Sequence, residues 1–123
     1  MKVQKIVVVE DDMIIQMFIS KVLNDAGFEI VAEARTSDQA LRCVEEYQPD
    51  LVLMDISIAG PIDGIETAEI VGKKYNTAVI FITGNSDQAT IDRAKKTNPV
   101  DFIFKPIDEN QLKRRLNSLN IED

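Results

Sequence analysis

The sequence predicts an α/β fold, a doubly wound five-stranded parallel sheet flanked by five helices. Three observations predict it. Five short apolar runs rich in Val, Ile or Phe recur at residues 6–9, 30–34, 51–54, 79–82 and 102–104. Segments with helical spacing lie between and after them. Strand and helix therefore alternate five times, which is the pattern of parallel strands joined by right-handed crossovers. The expected strand order is 2-1-3-4-5.

Each element has its own signal. After the first run, Ile15, Phe18, Ile19, Val22, Leu23 and Ala26 repeat at three and four, and Gly27 is a good helix stop. Met13, Ile14 and Met17 fall off that stripe. The second strand carries Glu29 and Glu33, which suit an edge. The second helix is expected from about Ser37, read as its N-cap, to about Tyr47. Its Ala40, Leu41, Val44 and Tyr47 face inward, and Pro49 ends it. Asp63-Gly64 reads as the turn into a third helix over about 64–75. The fourth helix is expected over about 87–96 and the fifth over about 108–119. Cys43 reads as a small core residue.

Composition narrows the function classes. A chain of 123 residues suits one domain, and one domain over 1–123 with no effector domain is the expectation. With 45% hydrophobic and 6% aromatic residues, the core should be aliphatic. The net charge of −7, from 14 basic and 21 acidic side chains, argues against direct nucleic-acid binding. The densest basic run, Lys113-Arg114-Arg115, is too short to reverse that. One cysteine and no histidine exclude an intrachain disulfide, an ordinary Zn²⁺ site and histidine-assisted nucleophiles. No secretory pattern opens the chain, and no apolar stretch nears the ~18 residues that span a bilayer. A cytoplasmic location with no membrane contact is therefore expected.

Open α/β sheets bind ligands beyond the carboxyl ends of their strands. The first run ends in Glu10-Asp11-Asp12, the third in Asp55, the fourth in Thr83-Gly84 and the fifth in Lys105-Pro106. The second ends in Ala34-Arg35 and offers no comparable chemistry. In the expected order, the four chemical ends meet in one crevice. Glu10, Asp11 and Asp55 together would repel one another unless a divalent cation and the Lys105 ammonium neutralised them. Hard oxygen ligands and few protein groups suit Mg²⁺. Each feature alone is ordinary. Asp12 alone is a helix N-terminal charge, and Thr83-Gly84 alone is a turn. It is their joint placement at four strand ends that points to chemistry.

This combination, Val8-Val9-Glu10-Asp11-Asp12, Asp55, Thr83-Gly84 and Lys105-Pro106, resembles the response-regulator receiver domain over essentially the whole chain. The resemblance implies a flavodoxin-like fold and a two-component phosphorelay role. Asp55 would be the phosphoacceptor, receiving its phosphoryl group from a sensor histidine kinase or a histidine phosphotransfer protein. Glu10, Asp11, Asp55 and the backbone carbonyl of Ser57 would serve Mg²⁺. Lys105 and Thr83 would contact the phosphoryl oxygens, and the Lys105–Pro106 bond would be cis. Thr83 and Phe102 would form a switch acting on the fourth helix, fifth strand and fifth helix, toward a downstream protein target. Such a chain catalyses only its own phosphorylation and dephosphorylation. Phe102 replaces the family's commoner tyrosine, and the loop from Ile56 to Gly64 is about one residue longer than the commonest form, with Ala59 where a proline is frequent. Ser57 and Asn85 hold positions that tune phosphoryl lifetime in the family. A pseudo-receiver, a protein-interaction module not controlled by phosphorylation, is the alternative reading.

Overall fold

The strands and helices form where the apolar runs and helical spacings place them, with boundaries shifted by a residue or two. The computed structural model describes residues 2–84 and 87–120. In chain order the elements are β1 (Lys5–Val9), α1 (Met13–Asp25), β2 (Glu29–Ala34), α2 (Ser37–Tyr47), β3 (Leu51–Asp55), α3 (Gly64–Tyr75), β4 (Ala78–Thr83), α4 (Gln88–Lys95), β5 (Asp101–Phe104) and α5 (Glu109–Leu119). The strands form one parallel sheet in the order β2-β1-β3-β4-β5, as expected.

Helices cover both faces, so the inner strands read as continuous apolar runs rather than alternating ones. Alternate residues nonetheless serve different cores. Val7, Val9, Val52, Met54, Val79 and Phe81 pack with Val44 of α2, Ala68 and Val71 of α3 and Ala94 of α4. Ile6, Val8, Leu51, Leu53, Ile80 and Ile82 pack with Ile19 and Leu23 of α1 and Leu112 and Leu116 of α5. Each fully buried aliphatic side chain contributes roughly 1.5–3 kcal/mol of transfer free energy.

The helix starts are capped by short polar side chains: Asp12, Thr36, Asp63, Asp87 and Asp108 each accept a hydrogen bond from a first-turn amide. The cap of α2 is thus Thr36, not Ser37. Thr36 keeps an extended backbone (φ −132°, ψ 164°), and its Oγ1 accepts from the Gln39 amide at 3.2 Å, while Ser37 is already helical and buried. Two expected inward residues also face water: Phe18 is 39% and Tyr47 42% exposed. Phe18 lines a groove with Ile14, Pro106 and Ile107. Ala26, expected on the same stripe, follows the helix and is exposed. Beneath α2, edge-strand residues Val31 and Ala32 are only half-buried, so its last turn has less to bury against. Met13, Ile14 and Met17 are exposed, as the spacing implied, and Cys43 is half-buried against the core.

The β3–α3 loop is strapped to α2. Ala59 bridges Thr36, and its carbonyl accepts from the Ser37 amide at 3.0 Å. Gly60 adopts φ +124°, and a Cβ there would collide with Ser37 Oγ. At the far end of the loop, a Cβ on Gly64 would run into the Asp55 carbonyl, so α3 starts hard against β3. Asp63 joins α3 to α4: its Oδ1 accepts from the Glu66 amide at 2.9 Å and its Oδ2 from Arg93 Nη2 at 2.7 Å.

Candidate functional site

β1, β3, β4 and β5 deliver Glu10, Asp11, Asp55, Thr83 and Lys105 to the carboxyl rim of the sheet. Asp55 closes β3, the central strand, and is 3% exposed; Glu10 is wholly buried just past β1. One carboxylate oxygen from each of Glu10, Asp11 and Asp55 lies within 4.8 Å of the others, with Asp11 the most open of the three. Lys105 Nζ donates to Glu10 Oε1 at 3.0 Å and to Asp55 Oδ2 at 3.3 Å. The Ser57 amide donates to Asp55 Oδ1 at 3.1 Å. Thr83 is buried at the end of β4, and its carbonyl accepts from the Lys105 amide at 2.9 Å. The Lys105–Pro106 bond is cis.

The electrostatics follow from that crowding. Burial, then the Asp55 carboxylate, push the Glu10 carboxyl up to about 8, with Lys105 pulling the other way. Burial opposes the charge on Lys105, but Glu10 and Asp55 outweigh it and hold the ammonium above its usual value. Glu10 Oε2 is buried with no hydrogen-bond partner among the described residues. A buried, unpartnered carboxylate oxygen beside two further acids fits a small hard cation held through Glu10, Asp11 and Asp55.

Asp12 lies outside this cluster and caps α1, accepting from the Ile14 and Ile15 amides. Phe102 is half-buried, with its ring 5.6 Å from Phe81 and 6.3 Å from Phe104. Asn85 lies outside the described residues. The end of β2 makes a backbone contact to the site: Arg35 Nη2 donates to the Asp11 carbonyl at 3.3 Å. Gln16 was not singled out by sequence either. It is buried on α1, and its Nε2 donates to the carbonyls of Glu10 (3.2 Å) and Ala34 (3.0 Å). Its only sequence signal is a polar residue spaced three, four and seven from Ile19, Ser20 and Leu23.

Comparison with known proteins decides the family, since the response regulator receiver domain matches residues 6–117. This chain belongs to the response regulator receiver family. The receiver is 34% identical over 103 residues to the chemotaxis protein CheY of Listeria monocytogenes, covering 83% of this chain and 86% of that one. It is 29% identical over 103 residues to the transcriptional regulatory protein PdtaR of Mycobacterium tuberculosis, covering 84% of this chain. It spans only half the length of PdtaR. Among solved structures, it superposes on the signal receiver domain of a modulated diguanylate cyclase from Desulfovibrio desulfuricans with a TM-score of 0.88 at 30% identity, covering 98% of this chain and 94% of that one. Among the described residues, no helix of the receiver is long and apolar enough to cross a membrane.

Proposed function

We propose that this receiver accepts a phosphoryl group onto Asp55 from the phosphohistidine of a sensor histidine kinase or a histidine phosphotransfer protein, in a Mg²⁺-dependent reaction. The observation that carries this reading is the shared contact of Lys105 Nζ with Glu10 and Asp55, inside a cluster of three acids. An Asp55 carboxylate oxygen would attack phosphorus as the P–N bond to the donor imidazole breaks, and the leaving imidazole takes up a proton. Asp55 would emerge as an acyl phosphate.

Glu10, Asp11, Asp55 and the Ser57 carbonyl would hold Mg²⁺, which when bound supplies the positive charge that lets phosphoryl oxygens approach a carboxylate. Asp55 is held ready by the Ser57 amide on one oxygen and Lys105 on the other. As the phosphoryl group arrives, Lys105 would exchange carboxylate contacts for phosphoryl oxygens. Thr83, buried beside the site, would turn its hydroxyl toward the same oxygens. The receiver's output would follow from the register of β4 and β5, where Thr83 lies beside Phe104 and Phe81 beside Phe102. A shift at Thr83 would be felt by the stacked rings of Phe102 and Phe104, and so on the surface of α4, β5 and α5. Its catalysis would act only on itself, and its downstream protein target would read that surface. The apolar groove of Ile14, Phe18, Pro106 and Ile107, beside Lys105, is where the donor would dock.

Incubation with acetyl phosphate and Mg²⁺, followed by intact-mass measurement, tests the central claim. One phosphoryl adduct is expected on the native chain and none on Asp55→Asn. An adduct that survives this substitution, or no adduct at all, overturns the claim; the second outcome would leave a pseudo-receiver.

A further inference from the structure

We propose that Gln16 is a positioning residue for the cation site, one that sets the backbone from which Glu10 and Asp11 project. This inference rests on the Mg²⁺-dependent reading above. Glu10 leaves the sheet at the end of β1 with its amide still paired to the Ala34 carbonyl at 3.0 Å. The chain then turns through Asp11 to Asp12, whose carbonyl accepts from the Gln16 amide at 2.9 Å and starts α1. From this first turn, the Gln16 side chain reaches back to the strand ends. A primary carboxamide has two N–H donors, and here one bonds the Glu10 carbonyl and the other the Ala34 carbonyl. The turn from 10 to 16 is thus closed on itself, with Asp11 inside it.

Two features make this closure consequential. Glu10 Oε2 has no partner among the described residues, so its Lys105 contact through Oε1 and its own backbone place that carboxylate. Gln16 is also buried, at 6% exposure, so losing its amide would strip the Glu10 carbonyl of this donor and leave the Ala34 carbonyl with the Glu10 amide alone. The turn would then relax toward other donors, carrying Glu10 and Asp11 out of the arrangement in which three carboxylate oxygens converge. Groups that orient metal ligands commonly change metal affinity by about 10- to 100-fold when removed.

The test is a calorimetric Mg²⁺ titration of the full chain, with circular dichroism and urea unfolding in EDTA alongside. Gln16→Met keeps the length and removes the donors, whereas Gln16→Asn keeps an uncharged carboxamide on a side chain one methylene shorter. Val22→Ala destabilises α1 from its buried face without touching the turn. Expected is folded Gln16→Met binding Mg²⁺ about 10-fold more weakly, with a smaller loss in Gln16→Asn and unchanged affinity in Val22→Ala. Adduct formation from acetyl phosphate should require more Mg²⁺ in Gln16→Met but recover at saturation. Should Gln16→Met fail to fold, Gln16→Leu, which also removes both donors, is read in its place. Unchanged affinity in the folded variant, or an equal loss in Val22→Ala, overturns the positioning role while leaving the metal reading intact. A native chain that does not bind Mg²⁺ overturns both.

Discussion

Glu10→Gln should make the metal-free receiver more stable while abolishing its response to Mg²⁺. The carboxyl of Glu10 is pushed from 4.5 to about 8 by burial and by Asp55. A group whose folded pKa is raised contributes stability that is complete below about pH 4.5 and is lost as the pH rises through about 8. Glutamine does not titrate, so its advantage over the native side chain must grow across that window. The interval, at about 1.4 kcal/mol per pH unit, sets a ceiling of roughly 5 kcal/mol. The rim is open at Asp11 and Lys105, and water there screens part of the effect, so a change of about 2–3 kcal/mol is expected between the two pH values measured. Urea unfolding in EDTA at about pH 5 and about pH 8.5, extrapolated linearly to water, measures it. A stability difference that moves by less than about 1 kcal/mol between the two pH values, or moves the other way, refutes the reasoning. Added Mg²⁺ at the higher pH should narrow or close the gap, since a ligand at a hundred times its dissociation constant stabilises the native chain by about 2.7 kcal/mol.

Two further outcomes follow from the same geometry. Lys105→Met removes the ammonium that two buried carboxylates share; it should cost about 1–3 kcal/mol in EDTA at pH 8, drive the Glu10 carboxyl higher still, and slow adduct formation from acetyl phosphate. Ile14 is 80% exposed, so Ile14→Asp should leave both stability and acetyl phosphate labelling within about twofold, while transfer from a histidine donor falls at least about tenfold. Unchanged transfer would remove the groove as the docking surface.

What was legible in the sequence, and what was not, divides along physical lines. β1, β3 and β4 are buried on both faces, so each reads as an unbroken apolar run with a definite end. Because the ends of the runs are the ends of the strands, Glu10, Asp55 and Thr83 could be placed at one rim without coordinates. The exposure of Phe18 and Tyr47 was not legible, because helical spacing gives a face but not how far the neighbouring sheet extends beneath it. Arg35 and Gln16 act through backbone carbonyls of residues 11, 10 and 34, and no side-chain pattern signals a contact with a carbonyl. Serine favours a cap, so the sequence points to Ser37; its neighbour Thr36 holds that role because the backbone at Thr36 is the extended one. The path of the β3–α3 loop depends on Gly60 lying against Ser37, a meeting of residues far apart in sequence.

Asp63 serves two helices with one carboxylate, one oxygen ending in the first turn of α3 and the other on the Arg93 guanidinium of α4. Any displacement of α4 that draws Arg93 away also changes the electron-rich cap over α3. The fraying of α3 at its start therefore becomes a gauge of where α4 stands. Amide hydrogen exchange at Glu66, whose N–H is the one Asp63 holds, should quicken or slow when α4 shifts, even though Glu66 belongs to neither the acid cluster nor the output surface.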